Sequence, residues 1–453
     1  MSAGPDFDRW PADRRLGLAG PVTVPDLLRH LPAHAAETAW RSTGSPLITT
    51  LVDELLGRGL HLSVFTTDEA LDAAAPRWMR LQSDRLRLYV APRRVRAFRF
   101  RHRRPGRIVD GFALERRMLA DAMRHDRPAV VHAHWSYEYA AAALDAGLPT
   151  LVTCHDSPRA ILRTMPDLYR VGRYLMARQV LGRASHLTAV SPYLAAELAP
   201  WTHGVAPVVV PNPVPDAVFD AARPWTSTAQ RASAPCLAMI LNGWTRVKNP
   251  ACGLQALQRV KARWPAATLH LVGPGYGVDG PAMAWARARR TEADFVFHGP
   301  LPHHQAMDLL ARMDLLLHPA GEESFGLAGA EAMALGIPVG TGAASGGVPW
   351  VTGRASGALV DVRSPTAMAE ACMNLLSDEA AHARASTRGR ERARQLFSSV
   401  AVADAYLALC AQLRADDRPD RPARHVGGEG AAVAMPARPG PHPGVAEAAV
   451  SRR

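Results

Sequence analysis

The chain has 453 residues, 48% of them hydrophobic, and a formal net charge of +12. That length exceeds one ordinary core and predicts two domains, and no run of about 18 uncharged apolar residues is present to make a membrane-spanning helix. The charge admits anionic lipid or phosphorylated ligands. The lack of a zinc knuckle, helix-turn-helix or aromatic RNA-binding motif argues against nucleic acid.

Residues 1–15 mix acids, bases and prolines and lack the apolar core of a signal peptide. The five cysteines, Cys154, Cys236, Cys252, Cys372 and Cys410, are scattered with no C-x-x-C pair, which predicts reduced thiols in a cytoplasm. Strands are predicted over 15–20, 61–65, 129–133, 149–154, 186–190 and 207–210, with helices over 47–56 and 138–146. Pro211-Asn-Pro213 breaks the series, and residues 221–235, rich in Ala, Arg, Ser, Thr and Pro, read as a linker. A second series has strands over 236–241, 268–272, 295–297, 315–318, 337–340 and 358–360, then helices over 364–376, 379–396 and 401–413. Strands alternating with helices imply α/β domains built on parallel sheets. The expected organisation is a Rossmann-like domain over 1–220, the linker, a second Rossmann-like domain over 236–398, a final helix over 399–415 and a disordered tail over 416–453.

The most informative stretch is Glu323-Ser-Phe-Gly-Leu-Ala-Gly-Ala-Glu331, continuing Ala-Met-Ala-Leu-Gly-Ile-Pro-Val339. An apolar run precedes it, and from Phe325 to Leu335 the pattern is helical, with Gly336 as the stop. This is a strand-loop-helix-strand unit with one carboxylate at the helix mouth and another about two turns in. A helix mouth offers unbonded N–H groups and a positive dipole end, which suit a phosphate. A carboxylate deeper in can accept two hydrogen bonds from a ribose diol. Taken singly, either glutamate also reads as a cap or dipole partner.

The whole string resembles the Glu-x7-Glu signature of the retaining glycosyltransferases of family 4, which have the GT-B fold. That resemblance implies two Rossmann-like doubly wound domains facing each other across a cleft, with the last helix crossing back onto the first domain. It implies a nucleotide-diphosphate sugar as donor, bound by the second domain, and a hydroxyl acceptor on the first, in polysaccharide or glycolipid assembly. Glu331 would then hold the ribose, Glu323 the donor sugar, and the N–H groups of Phe325, Gly326 and Leu327 phosphate or sugar oxygens.

Lys248, one of only two lysines, falls where the family has a diphosphate-binding lysine. Trp244 stands in the usual place of the family arginine, and Arg246 is the candidate substitute, with a solvated surface arginine as the alternative. His155, after the strand ending at Cys154, matches a histidine that arranges donor and acceptor at the reacting centre. His134, Trp135 and Tyr137 follow the preceding strand and would line the acceptor side or form a packed aromatic corner. Gly44, in Thr43-Gly44-Ser45, matches a glycine-rich loop that approaches the donor phosphates, and Trp350 replaces a family glutamate. Lysine and arginine would neutralise the leaving diphosphate. The only Asp-x-Asp string, Asp6-Phe7-Asp8, lies ahead of the first predicted strand, and neither a metal nor a cofactor is expected. The resemblance further implies front-face attack without an enzymatic nucleophile.

The basic run from Arg93 to Arg107, interleaved by Phe98 and Phe100, suits an anionic membrane surface, an acidic acceptor or a solvated arginine-rich loop. Two rival functions share the fold: a non-catalytic nucleotide-sugar binder and a nucleotide-sugar epimerase. A glycosidase is disfavoured, because eight residues of helix span about 12 Å at about 1.5 Å rise, more than paired glycosidase carboxylates allow.

Overall fold

The computed structural model describes residues 14–42, 44–99, 105–222 and 233–416. Thr43, residues 100–104 of the basic run, residues 223–232 of the expected linker and the expected tail from 417 onward lie outside the described residues.

The first sheet contains β1 (Leu16–Ala19), β2 (Leu62–Asp68), β3 (Met79–Gln82), β4 (Leu86–Pro92), β5 (Val130–His134), β6 (Thr150–Cys154), β7 (Leu187–Ala189) and β8 (Val208–Val209). Their order across the sheet is β3-β4-β2-β1-β5-β6-β7-β8, and every pairing is parallel except β3 with β4. The second sheet contains β9 (Cys236–Ile240), β10 (Thr268–Val272), β11 (Phe295–Gly299), β12 (Leu315–His318), β13 (Val339–Gly342) and β14 (Gly357–Val360), in the all-parallel order β11-β10-β9-β12-β13-β14. The sequence makes such strands by continuous apolar runs. β1, β5, β6 and β12 are buried along their whole length, as strands covered by helices on both faces must be.

Strand order reverses beside β1 in the first sheet and beside β9 in the second. Such switch points open a crevice at the carboxyl ends of the strands, and the loops after β1, β5, β9 and β12 lie there. The final helix, Ser399–Asp416, returns to the first domain. Its Tyr406 ring lies 4.3 Å from that of His132 on β5, and Asp404 binds Arg58 at 2.5 Å.

Sequence periodicity missed β3, β4 and several helices, among them Ala113–Asp126, Leu168–Arg183 and Pro250–Val260. Leu86, Leu88 and Val90 alternate as a strand should, and the buried Leu119, Ala122 and Met123 mark one helix face, so the signal was present. No helix among the described residues is long and apolar enough to cross a membrane.

The basic run is not a uniform surface feature, which corrects one expectation. Arg94 is 8% exposed and grips Asp110 through two nitrogens at 2.7 and 2.9 Å and Glu115 at 2.6 Å. Arg107 donates to the carbonyls of Arg94 and Val95. A guanidinium with five donors can pin such a loop from inside, so these two arginines shape the segment while Arg96 and Arg99 remain exposed.

Candidate active site

Two loops meet at the switch point of the second sheet. After β9 the chain runs through Trp244, Thr245, Arg246 and Val247 to Lys248 and Asn249; after β12 it runs from Pro319 to Gly326. Asn249 adopts φ 47° and its amide donates to Pro319 O at 3.2 Å and Val362 O at 2.7 Å, and Gly321 N donates to Val247 O at 2.7 Å. The loops after β9, β12 and β14 are thereby tied together, and Lys248 Nζ reaches Glu323 Oε1 at 2.5 Å. His318, at the end of β12, stands 3.5 Å from the same oxygen. Burial works to raise the Glu323 carboxyl, but His318 and Lys248 outweigh it and hold the group down to about 2. Glu323 is therefore an anion at neutral pH, and Lys248 retains N–H donors beyond the one it gives Glu323.

Arg246, two residues away, is exposed and joins no ion pair among the described residues. Trp244 turns from the loop onto the core and packs against Tyr276, ring centroids 5.9 Å apart.

The helix after Glu323 begins at Leu327, not at Phe325 as the sequence pattern suggested. The Phe325 side chain is buried against Phe397, 5.3 Å between centroids, and Gly326 turns the chain with φ 86°. A side chain at 326 would be strained, with a Cβ 3.0 Å from Val348 Cγ2. The amides that open this helix have no carbonyl one turn back to bond, so the mouth suits an anion. Glu331 lies within the helix, 5% exposed, and receives His303 Nε2 at 2.7 Å. That hydrogen bond raises the His303 pKa against the opposing effect of burial.

The first domain holds the Glu323 loop from its other side. Ser191 Oγ donates to Ser324 O at 2.6 Å, Tyr193 OH to Glu322 Oε1 at 2.5 Å, and Arg163 to Glu322 Oε2 at 2.9 Å. Gly347 N bonds Glu323 O at 2.8 Å, and a Cβ at Gly347 would sit 2.1 Å from Ser324 O, so only glycine permits this approach. Sequence reasoning missed Ser191, Tyr193, Arg163 and Glu322, which meet across the domain boundary, and His303 and His318, which meet Glu331 and Glu323 within the second domain, because nothing local marks a contact made in space.

On β5 and just after β6 the first domain holds a row of histidines. His155 Nε2 lies 3.0 Å from His134 Nδ1, and His155 Nδ1 lies 3.0 Å from Asn212 Oδ1. With the amide oxygen accepting, Nδ1 carries the proton on both rings, and His134 Nε2 is left buried without a partner among the described residues. His132 binds Thr153 Oγ1 at 2.7 Å. Burial pushes His132 and His155 down to about 3, and burial together with its two histidine neighbours holds His134 well below the ordinary value. Trp135, with φ 63°, rests against His155 at 4.3 Å. Tyr137 is 3% exposed, donates to Asp156 Oδ1 at 2.9 Å, and has Arg173 over its ring at 3.5 Å. Its face is covered, so it supports the loop of His155 instead of offering a stacking surface.

The three histidines predict an acid transition. All have folded pKa values below the ordinary 6.5, so the unfolded chain binds more protons below that pH. Stability is full above pH 6.5 and is lost as pH falls toward 3. The slope is up to about 1.4 kcal/mol per pH unit for each histidine. Denaturant unfolding at pH 7, 6 and 5 should show this slope, and His132→Gln should reduce it; a flat profile would exclude the assignment.

Gly44 occupies a tight corner. Its N donates to Thr23 Oγ1 at 2.8 Å, and a Cβ there would lie 2.3 Å from Thr23 N. The residue lets two backbones cross beside the end of β1, and its amide is already used by the protein.

With this geometry in view, two family models match in tandem: Glycosyltransferase Family 4 over residues 46–218 and Glycosyl transferases group 1 over residues 237–392. The chain belongs to the family 4 glycosyltransferases. This glycosyltransferase is 28% identical over 302 residues to glycogen synthase of Mycobacterium tuberculosis, covering 63% of the chain and 70% of the relative. It is 25% identical over 321 residues to N-acetyl-alpha-D-glucosaminyl L-malate synthase of Bacillus anthracis, covering 66% and 79%. In fold it is similar to sucrose-phosphate synthase from Thermosynechococcus elongatus, with TM-score 0.66 and 20% identity over 89% of the chain and 99% of that structure. It is also similar to Anabaena HepE in complex with UDP and glucose, with TM-score 0.58 and 14% identity over 88% and 100%. The glycosyltransferase thus has the GT-B fold expected from its sequence.

Proposed function

We propose that this glycosyltransferase moves a sugar from a nucleotide-diphosphate donor to an acceptor hydroxyl with retention at the anomeric carbon. The observation that carries the reading is the Lys248–Glu323 pair, 2.5 Å apart at the switch point of the second sheet. Lys248 would stabilise charge on the leaving diphosphate, with the helix mouth at Gly326 and Leu327 assisting, so that protein cations and dipoles supply the electrostatic catalysis in place of a metal. Glu323 would orient the donor sugar and Glu331 would accept from the ribose diol. His155, neutral and fixed by Asn212, would direct the reacting centre from the acceptor side, with Trp135 beside it. The exposed Arg246 is free to turn toward the diphosphate.

Support for a uridine donor comes from HepE, which is similar in fold and has been solved with UDP and with UDP-glucose. The test is a thermal-shift screen of UDP-, GDP- and ADP-sugars, followed by release of the nucleotide diphosphate with simple sugar acceptors in the presence of EDTA. A donor that raises the Tm and turns over with an α-linked product supports the reading. A donor that binds with no diphosphate released from any pair favours a binder, and an isomerised donor without acceptor favours an epimerase.

A further inference from the structure

We propose that the first domain docks on an anionic lipid bilayer through a face made of the helix Leu168–Arg183 and the loop segments 95–99 and 105–109. The described residues include ten large hydrophobic side chains that are exposed, and six of them lie here: Leu168, Val171 and Leu175 on the helix, and Val95, Phe98 and Val109 on the loop. The three helix residues fall at i, i+3 and i+7, which is one stripe, and the opposite side of the same helix already buries Met176, Ala177 and Val180. A helix apolar on both sides needs cover on both. Leu168 is 76% exposed and Val109 61%.

The two segments form one surface. Ile108 fits the notch at Gly172, where a Cβ would lie 2.7 Å from Ile108 Cγ1, and Ile108, Ala97, Tyr169 and Met176 share one apolar cluster beneath the face. A contiguous exposed patch of this kind marks an interaction site.

Charge decides the occupant. Arg96, Arg99 and Arg178 are exposed and in no ion pair among the described residues, and Arg178 continues the helix stripe at i+10. The neighbouring acids are engaged: Asp110 with Arg94, Asp167 with Arg170, Glu69 with Arg93, and Asp72 with the amide of Ala74. Apolar side chains beside unpaired arginines match the boundary of a bilayer carrying anionic headgroups. The same helix carries Arg173, which covers Tyr137 behind the His155 loop, so docking would set the acceptor side of the cleft beside the lipid surface.

The test is sedimentation of the full chain with vesicles of phosphatidylcholine alone or with about 30 mol% phosphatidylserine, at low and high salt. Binding should require phosphatidylserine and weaken with salt. The Arg96→Glu, Arg99→Glu, Arg178→Glu variant should lose about 100-fold or more in partitioning. The Leu168→Ser, Val171→Ser, Leu175→Ser variant should lose at least about tenfold, both with unchanged thermal unfolding and UDP affinity. Protein that stays in the supernatant with anionic vesicles overturns the proposal. So do folded variants that bind as the parent does, which would leave the face to a protein partner.

Discussion

Glu323→Gln is expected to lower the transfer rate by a factor on the order of 10²–10³, the range seen when one preorganised electrostatic contact is removed from an active site. Glutamine keeps the shape and one accepting oxygen but removes the charge that Lys248 meets at 2.5 Å and His318 faces at 3.5 Å. Because the carboxyl is held down to about 2, the parent is ionised at every practical assay pH, so the variant isolates charge from protonation. Nucleotide affinity should change little, since the proposed ribose contact lies at Glu331. Lys248→Ala should lose a similar factor and also lower the unfolding temperature, because a largely buried carboxylate loses its cation. If the two residues act as a pair, the double variant will lose less than the two single losses combined. Steady-state release of the nucleotide diphosphate reads all three. A Glu323→Gln enzyme with parental kcat would remove Glu323 from the reaction.

Glu331→Ala is expected to weaken donor binding by roughly 100-fold, about 3 kcal/mol, the worth of hydrogen bonds to a charged acceptor. In the free protein this carboxylate already accepts from His303 at 2.7 Å. It has lone pairs enough for a ribose hydroxyl as well. His303→Ala is the control: it leaves the carboxylate in place and should keep most of the affinity. Titration calorimetry with the nucleotide diphosphate measures both. Unchanged affinity in Glu331→Ala would assign the glutamate to holding His303 alone.

The fold was legible because its signals are local. Buried parallel strands are written as apolar runs such as Leu315–His318. Helix ends are written as residues such as Gly336, whose φ of 78° suits the stop it was read as. The edge hairpin β3–β4 and the helix Leu168–Arg183 carry the same kinds of signal and were passed over among loop-like arginines. The candidate site was legible only where one short string holds several of its parts, as from Glu323 to Glu331.

By itself the sequence determined two α/β domains, the family, and the Glu323–Glu331 string as the candidate site, since each depends on spacing within one segment. Tertiary structure alone decided which atoms meet. It paired Lys248 with Glu323 across 75 positions, and His303 with Glu331 across 28. It also set Tyr193 and Ser191 of the first domain on the loop that carries Glu323. The reason is physical: a hydrogen bond depends on distance and angle in space, and a chain folded into two sheets brings together loops whose separation along the sequence carries no trace of the contact.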